Sequence, residues 1–135
     1  MAISSATAPL RPGKFSDPSL TADGAPRAAV RLTALHTLWF NTGALCNIAC
    51  AGCYIDSGPR SDWLVYLSRE EVRGFLAEAA ARHPELREIG FTGGEPFMNP
   101  DFPAMLEDGL QTGRRVLVLS NAMRPLQRRL ALLDT

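Results

Sequence analysis

Cys46-Asn47-Ile48-Ala49-Cys50-Ala51-Gly52-Cys53 holds every cysteine of the chain. Three residues separate the first thiol from the second and two separate the second from the third, so one tight loop can offer all three sulfurs to one metal centre. A closed structural site takes four protein ligands, whereas a site that binds a small molecule at the metal keeps a coordination position open. Iron–sulfur clusters are held by thiolates, ordinarily four of them, so three close thiols with no fourth point to a four-iron cluster with one exposed iron.

Zinc is the competing reading, with His36 or His83 as the fourth ligand. The C-x3-C-x2-C spacing departs, however, from the paired C-x2-C pattern of zinc ribbons and fingers. A disulfide framework is disfavoured by the odd cysteine count and by residues 1–14, which lack the basic-then-apolar order of a signal peptide.

Outward from the thiols, the chain reads as alternating strands and helices. Upstream, Leu38-Trp39-Phe40 is a short aromatic strand that ends at the turn formers Asn41-Thr42-Gly43 and delivers the chain to Cys46. Downstream, residues 56–62 are crowded with turn formers and read as a loop. The apolar run Trp63 to Leu67 then either covers the thiol loop or forms a plain strand. Ser68-Arg69-Glu70-Glu71 matches a capping box, and Val72, Phe75, Leu76, Ala79 and Ala80 share one apolar helical face. Pro84 stops that helix, with His83 suited to a capping role at its end.

Residues 87–92 read as a second strand that terminates in Gly93-Gly94. Asn99 is expected to cap the next helix with Pro100 at its first position, Phe102, Met105, Leu106 and Leu110 forming the buried stripe and Gly113 closing it. Val116 to Leu119 is an unbroken apolar run, as expected of a parallel strand covered on both faces. Ser120-Asn121 ends it, and Leu126, Leu130 and Leu133 line a third helix that starts at Pro125.

This order predicts an α/β fold with right-handed crossovers and a parallel sheet, in which ligands collect at the carboxyl ends of the strands. The thiol loop, Gly93 to Pro96, and Ser120-Asn121 all fall at that edge.

The thiol spacing followed by Gly93-Gly94-Glu95-Pro96 after the second strand resembles the radical S-adenosylmethionine (radical SAM) superfamily, over about Leu35 to Ala122. The resemblance implies a partial (β/α) barrel of about three units, residues 35–135 forming the amino-terminal part of the core domain. It implies that Cys46, Cys50 and Cys53 hold a [4Fe-4S] cluster whose fourth iron is chelated by S-adenosylmethionine. Reductive cleavage of that cofactor would give a 5'-deoxyadenosyl radical that removes hydrogen from a substrate, the cofactors supplying the hard chemistry and the protein their orientation. Of the cofactor-binding stretch Gly93 to Pro96, Gly93 and Gly94 would let backbone carbonyls approach the methionyl amine, Glu95 would add a carboxylate and Pro96 would stiffen the turn. Tyr54 stands just after the third cysteine, whereas the family usually has an aromatic residue just before it, where this chain has Gly52; Tyr54 would pack near adenine or shield the cluster. Ser120 and Asn121 would bond ribose or substrate. An electron donor such as flavodoxin or ferredoxin is implied, with a small-molecule or peptide substrate.

Composition sets the outer bounds. Of 135 residues 46% are hydrophobic, and 14 basic side chains balance 14 acidic ones, so no net charge draws the chain to nucleic acid or anionic membrane. No apolar run approaches the roughly 18 residues of a membrane span, and a reducing cytoplasm is the expected compartment. Residues 1–34, rich in Ala, Pro, Ser and Gly, read as a flexible leader. Three units leave an apolar outer strand unpaired, so the chain by itself is expected to associate.

Overall fold

The computed structural model describes residues 17–21 and 23–130. The chain divides into two units, Met1–Thr33 and Ala34–Thr135. Residues 1–16, the first part of the expected leader, lie outside the described residues. In the rest of the first unit Asp17 Oδ1 accepts from the Ser19 and Leu20 N–H groups, and Leu20 bridges Pro26 in an antiparallel turn.

The second unit contains β1 (Thr37–Asn41), α1 (Arg69–Arg82), β2 (Glu88–Thr92), a 3-10 turn (Pro96–Met98), α2 (Phe102–Gln111), β3 (Arg115–Val118) and α3 (Arg124–Leu130). The strands form one parallel sheet in the order β1-β2-β3, with Phe40 paired to Phe91 and Phe91 to Val118. This is the α/β fold expected from the sequence, consistent with part of a radical-SAM-type barrel.

Alternation along the strands assigns their side chains. Phe40, Ile89 and Phe91, with partly buried Leu38, Val116 and Val118, meet Val72 and Leu76 of α1 and Phe102, Met105 and Leu106 of α2. Burying each of these large side chains contributes roughly 1.5–3 kcal/mol before entropy is counted. Aromatic rings run through this layer: Phe91 stacks on Phe40 at 5.4 Å, Phe102 meets Phe91 edge-on at 5.3 Å, and Phe97 meets Phe102 edge-on at 4.8 Å. Phe97 follows Pro96, so the last contact fixes the turn after Gly93-Gly94 to the core. On the opposite face Trp39 lies across Gly90, where a Cβ would strike its ring, and Arg115 pairs with Glu88 at 2.6 Å.

Several local readings are corrected. The capping box of α1 forms as expected, and His83 closes the helix. The buried stripe of α1 is narrower than expected, Val72, Leu76 and Ala79 being covered while Ala80 is exposed and Phe75, 53% exposed, sits at the rim with its ring 6.3 Å from Phe40. On α2, Leu110 points outward and Gly109 takes the buried position close against the Phe91 ring, where a Cβ would stand 3.3 Å from it. Asn99 does not cap α2. The 3-10 turn displaces the N-cap to Asp101 and the helix start to Phe102, and Asn99 Oδ1 instead accepts from Asp101 N–H. Val116 to Leu119 is covered on one face only, Leu117 and Leu119 being exposed, because among the described residues no layer packs on the side of the sheet that carries Trp39. Trp63 and Val65 are exposed outside any strand. Helix α3 starts at Arg124, with Leu126 packed on the core, and Leu133 lies outside the described residues.

Candidate metal and cofactor site at the carboxyl edge

The loop carrying the thiols is pinned at its neck, where Leu45 bridges Gly58 and Cys46 N–H donates to Gly58 O at 3.1 Å. Within it Cys53 N–H reaches Cys50 O and Asp56 N–H reaches Cys53 O. All three thiols are free, with Cys46 buried, Cys53 half-buried and Cys50 exposed. The backbone N–H groups of Ser57 and then Ile55 hold the Cys53 thiol below its ordinary range by stabilising the thiolate. Ser57 Oγ, beside it, is buried with no hydrogen bond of ordinary geometry among the described residues, and it adds a smaller lowering after those of the backbone groups.

Gly93-Gly94 is where two loops of this edge interlock. Gly93 has φ +142°, and a Cβ on it would stand 2.7 Å from Gly43 O; a Cβ on Gly94 would collide with the Ala44 and Leu45 carbonyl oxygens. Into that space Gly94 N–H donates to Gly43 O and Glu95 N–H to Leu45 O, each at 2.9 Å. Much of the room that the glycines leave is thus taken by the segment leading to Cys46. The Glu95 side chain, 2% exposed, turns inward and accepts from Phe97 N–H, from Ser120 Oγ at 3.0 Å and from Asn121 N–H at 2.8 Å. Pro96 is buried at the start of the 3-10 turn. Glu95 and Pro96 therefore brace the edge, while Asn121 reaches the thiols: its Nδ2 donates to Asn47 Oδ1 at 3.0 Å and to Cys46 Sγ at 3.5 Å.

Two ties escaped the sequence reading. Asn99 Nδ2 donates to Thr42 O at 3.0 Å and Leu67 O at 2.8 Å, and buried Thr42 donates its hydroxyl to Thr92 O at 2.9 Å. In the sequence Asn99 reads only as a cap, because a side chain that joins residues 57 positions apart leaves no periodic signal.

A cavity of about 330 Å³ opens between these loops, lined by Cys53, Tyr54, Thr92, Gly93, Gly94 and residues 118–121. Tyr54 is exposed over it, with its hydroxyl 3.1 Å from Thr92 Oγ1. The cavity thus joins one of the three cysteines, both glycines, Tyr54, Ser120 and Asn121.

Among the described residues no three His, Cys, Asp or Glu side chains stand close enough to share a single metal ion. The histidines lie far from the thiols. His36 precedes β1, and its carbonyl accepts from Arg87 N–H; His83 ends α1; both sit at the amino edge of the sheet. A five-residue strand puts roughly 16 Å between that edge and the cysteine loop, which rules out the Cys3His zinc reading for this fold. The donor set that remains, three soft thiols on a pinned loop beside an orphaned serine hydroxyl, fits an iron–sulfur cluster in chemistry.

Parallel strands, crossover helices and a cavity at the carboxyl edge behind a thiol loop define the class: an α/β fold consistent with a partial barrel, of the kind in which ligands collect at the strand ends. The sequence profile described as radical SAM superfamily matches residues 40–135, and the chain belongs to that superfamily. Comparison with curated proteins gives no match. Among the described residues no helix is long and apolar enough to cross a membrane.

Proposed function

We propose that this chain carries the cluster- and cofactor-binding half of a radical SAM enzyme. Cys46, Cys50 and Cys53 hold a [4Fe-4S] cluster, and S-adenosylmethionine occupies the cavity between the cysteine loop, Gly93-Gly94 and Ser120-Asn121. Supplied with an electron, that pair of cofactors provides a 5'-deoxyadenosyl radical for hydrogen abstraction.

The protein's part is positioning. The neck at Leu45 and Gly58 fixes where the cysteine loop leaves the sheet, and the Gly94 and Glu95 amides fix the second loop against it. Tyr54 and Thr92 present hydroxyls at the cavity mouth that suit a nucleoside's polar groups. The single observation that carries the proposal is that cavity, because three segments far apart in sequence converge on it. A reducing cytoplasm and a flavodoxin- or ferredoxin-class donor suit such a site, while a small molecule and a peptide are both compatible with its open wall.

Anaerobic reconstitution with iron and sulfide tests the reading. The expected outcome is a brown protein with broad thiolate-to-iron absorption that Cys50→Ala abolishes, and 5'-deoxyadenosine formed from S-adenosylmethionine under strong reductant once the rest of the barrel is present. Colourless material that retains zinc instead would refute it.

A further inference from the structure

Asn121 meets the cysteine loop in a way that a ribose- or substrate-binding side chain would not need. Its backbone N–H is held by buried Glu95 at 2.8 Å, and the next residue, Ala122, takes a left-handed φ of +57°. That turn lets Met123 N–H donate to Asn121 Oδ1 at 3.0 Å. A backbone N–H has no choice of role, so the amide oxygen faces Met123 and the amide nitrogen faces Cys46 Sγ, 3.5 Å away. Nδ2 also meets Asn47 Oδ1 at 3.0 Å, holding the residue next to Cys46 in place.

The sulfurs are thus unequally treated. Cys53 is served by backbone N–H groups, Cys50 is exposed, and Cys46 receives a side-chain donor. Hydrogen bonds to the sulfurs are among the factors that set the potential of an iron–sulfur cluster, because a donor offsets the extra negative charge of the reduced state.

We infer that Asn121 is a positioning residue that donates to the Cys46 thiolate and raises the potential at which the cluster is reduced. The inference rests on the cluster reading proposed above. Asn121 is well placed for it, being carried on the segment after β3 and so able to hold the loop after β1 from across the sheet. Glu95 is the anchor beneath it, since that side chain fixes both Ser120 and the Asn121 backbone.

The test is an anaerobic redox titration of the reconstituted full chain, wild type against Asn121→Asp and Asn121→Leu, following the cluster by electron paramagnetic resonance with iron and sulfide content measured alongside. Neutral Asn121→Leu removes the donor without adding charge and is the variant whose shift measures the hydrogen bond; Asn121→Asp keeps the oxygen that accepts from Met123 N–H but adds a negative charge, so its potential must fall at least as far, which keeps the test decisive if Asn121→Leu misfolds. The expected result is normal cluster content with a reduction equilibrium about tenfold less favourable, ~59 mV more negative for a one-electron couple. Normal content with an unchanged potential in either variant overturns the inference, as does failure of both variants to load a cluster that wild type holds, which would make Asn121 a folding residue. A wild-type chain that takes up no cluster overturns the underlying reading as well.

Discussion

The two edges of the one sheet are built from different interactions. At the carboxyl edge, buried polar groups stitch loop to loop: Thr42 to Thr92, Asn99 to the carbonyls of Thr42 and Leu67, and Glu95 to Ser120 and Asn121. At the amino edge the links lie in or near solvent: the Arg115–Glu88 ion pair, Glu85 Oε1 accepting from Leu35 N–H and lying 3.2 Å from His83 Nδ1, and the Arg114 side chain on Leu86 O. Buried hydrogen bonds leave costly unpaired groups when one partner is lost, whereas exposed ion pairs are worth little. The edge that positions the site is therefore the brittle one.

One substitution made at both edges should expose that difference most strongly. Gly94→Ala places a methyl group against the Ala44 and Leu45 carbonyl oxygens, backbone atoms with nowhere to move, and should destabilise the chain by about 3 kcal/mol and abolish cluster loading. Gly113→Ala, at the amino edge, meets open space and is opposed only by its φ of +71°, at a cost of about 1 kcal/mol with loading retained. Thermal melts and iron content read both. Equal losses would mean that the interlock of Gly93-Gly94 with residues 43–45 is not what holds the edge.

A smaller contrast comes from the polar ties. Asn99→Ala leaves the Thr42 and Leu67 carbonyls without their donor, an expected loss of about 2 kcal/mol. Arg115→Ala removes an ion pair whose arginine is largely exposed and should cost about 0.5 kcal/mol or less. Denaturant midpoints that rank these two the other way would reverse the assignment of the brittle edge.

The sequence made the elements legible where chemistry is local. Ser68 and Glu71 sit close enough to announce their capping box, and the thiol spacing and Gly93-Gly94 are each one short motif. What remained hidden is long-range. That Gly109 packs against Phe91 while Leu110 faces outward depends on which strand lies beneath the helix, not on α2's own period. Val116 to Leu119 looks like a doubly covered strand because apolar residues follow one another without interruption, yet hydropathy does not record how many layers pack on a sheet. At the site, Glu95 reads as a free carboxylate until the fold brings Ser120 and Asn121 onto it.

The smallest expected effect is confined to acid. Glu85 Oε1 accepts from Leu35 N–H at 3.0 Å and lies 3.2 Å from His83 Nδ1, and the Leu35 hydrogen bond chiefly lowers its carboxyl from 4.5 to about 2. A carboxyl with a folded-state pKa below its unfolded value binds fewer protons when folded, so its stabilisation is fully present above about pH 5 and is lost as pH falls through about 2. The stability gap between wild type and Glu85→Gln should therefore be constant at neutral pH and close as the acid limb is entered, as followed by urea unfolding across that range. Because Glu85 lies at the amino edge, far from the thiols, cluster loading at neutral pH should be the same in both proteins. A loading defect in Glu85→Gln would show that the edges are coupled through β1 and α1, and the sharp division between a brittle site edge and a tolerant opposite edge would not hold.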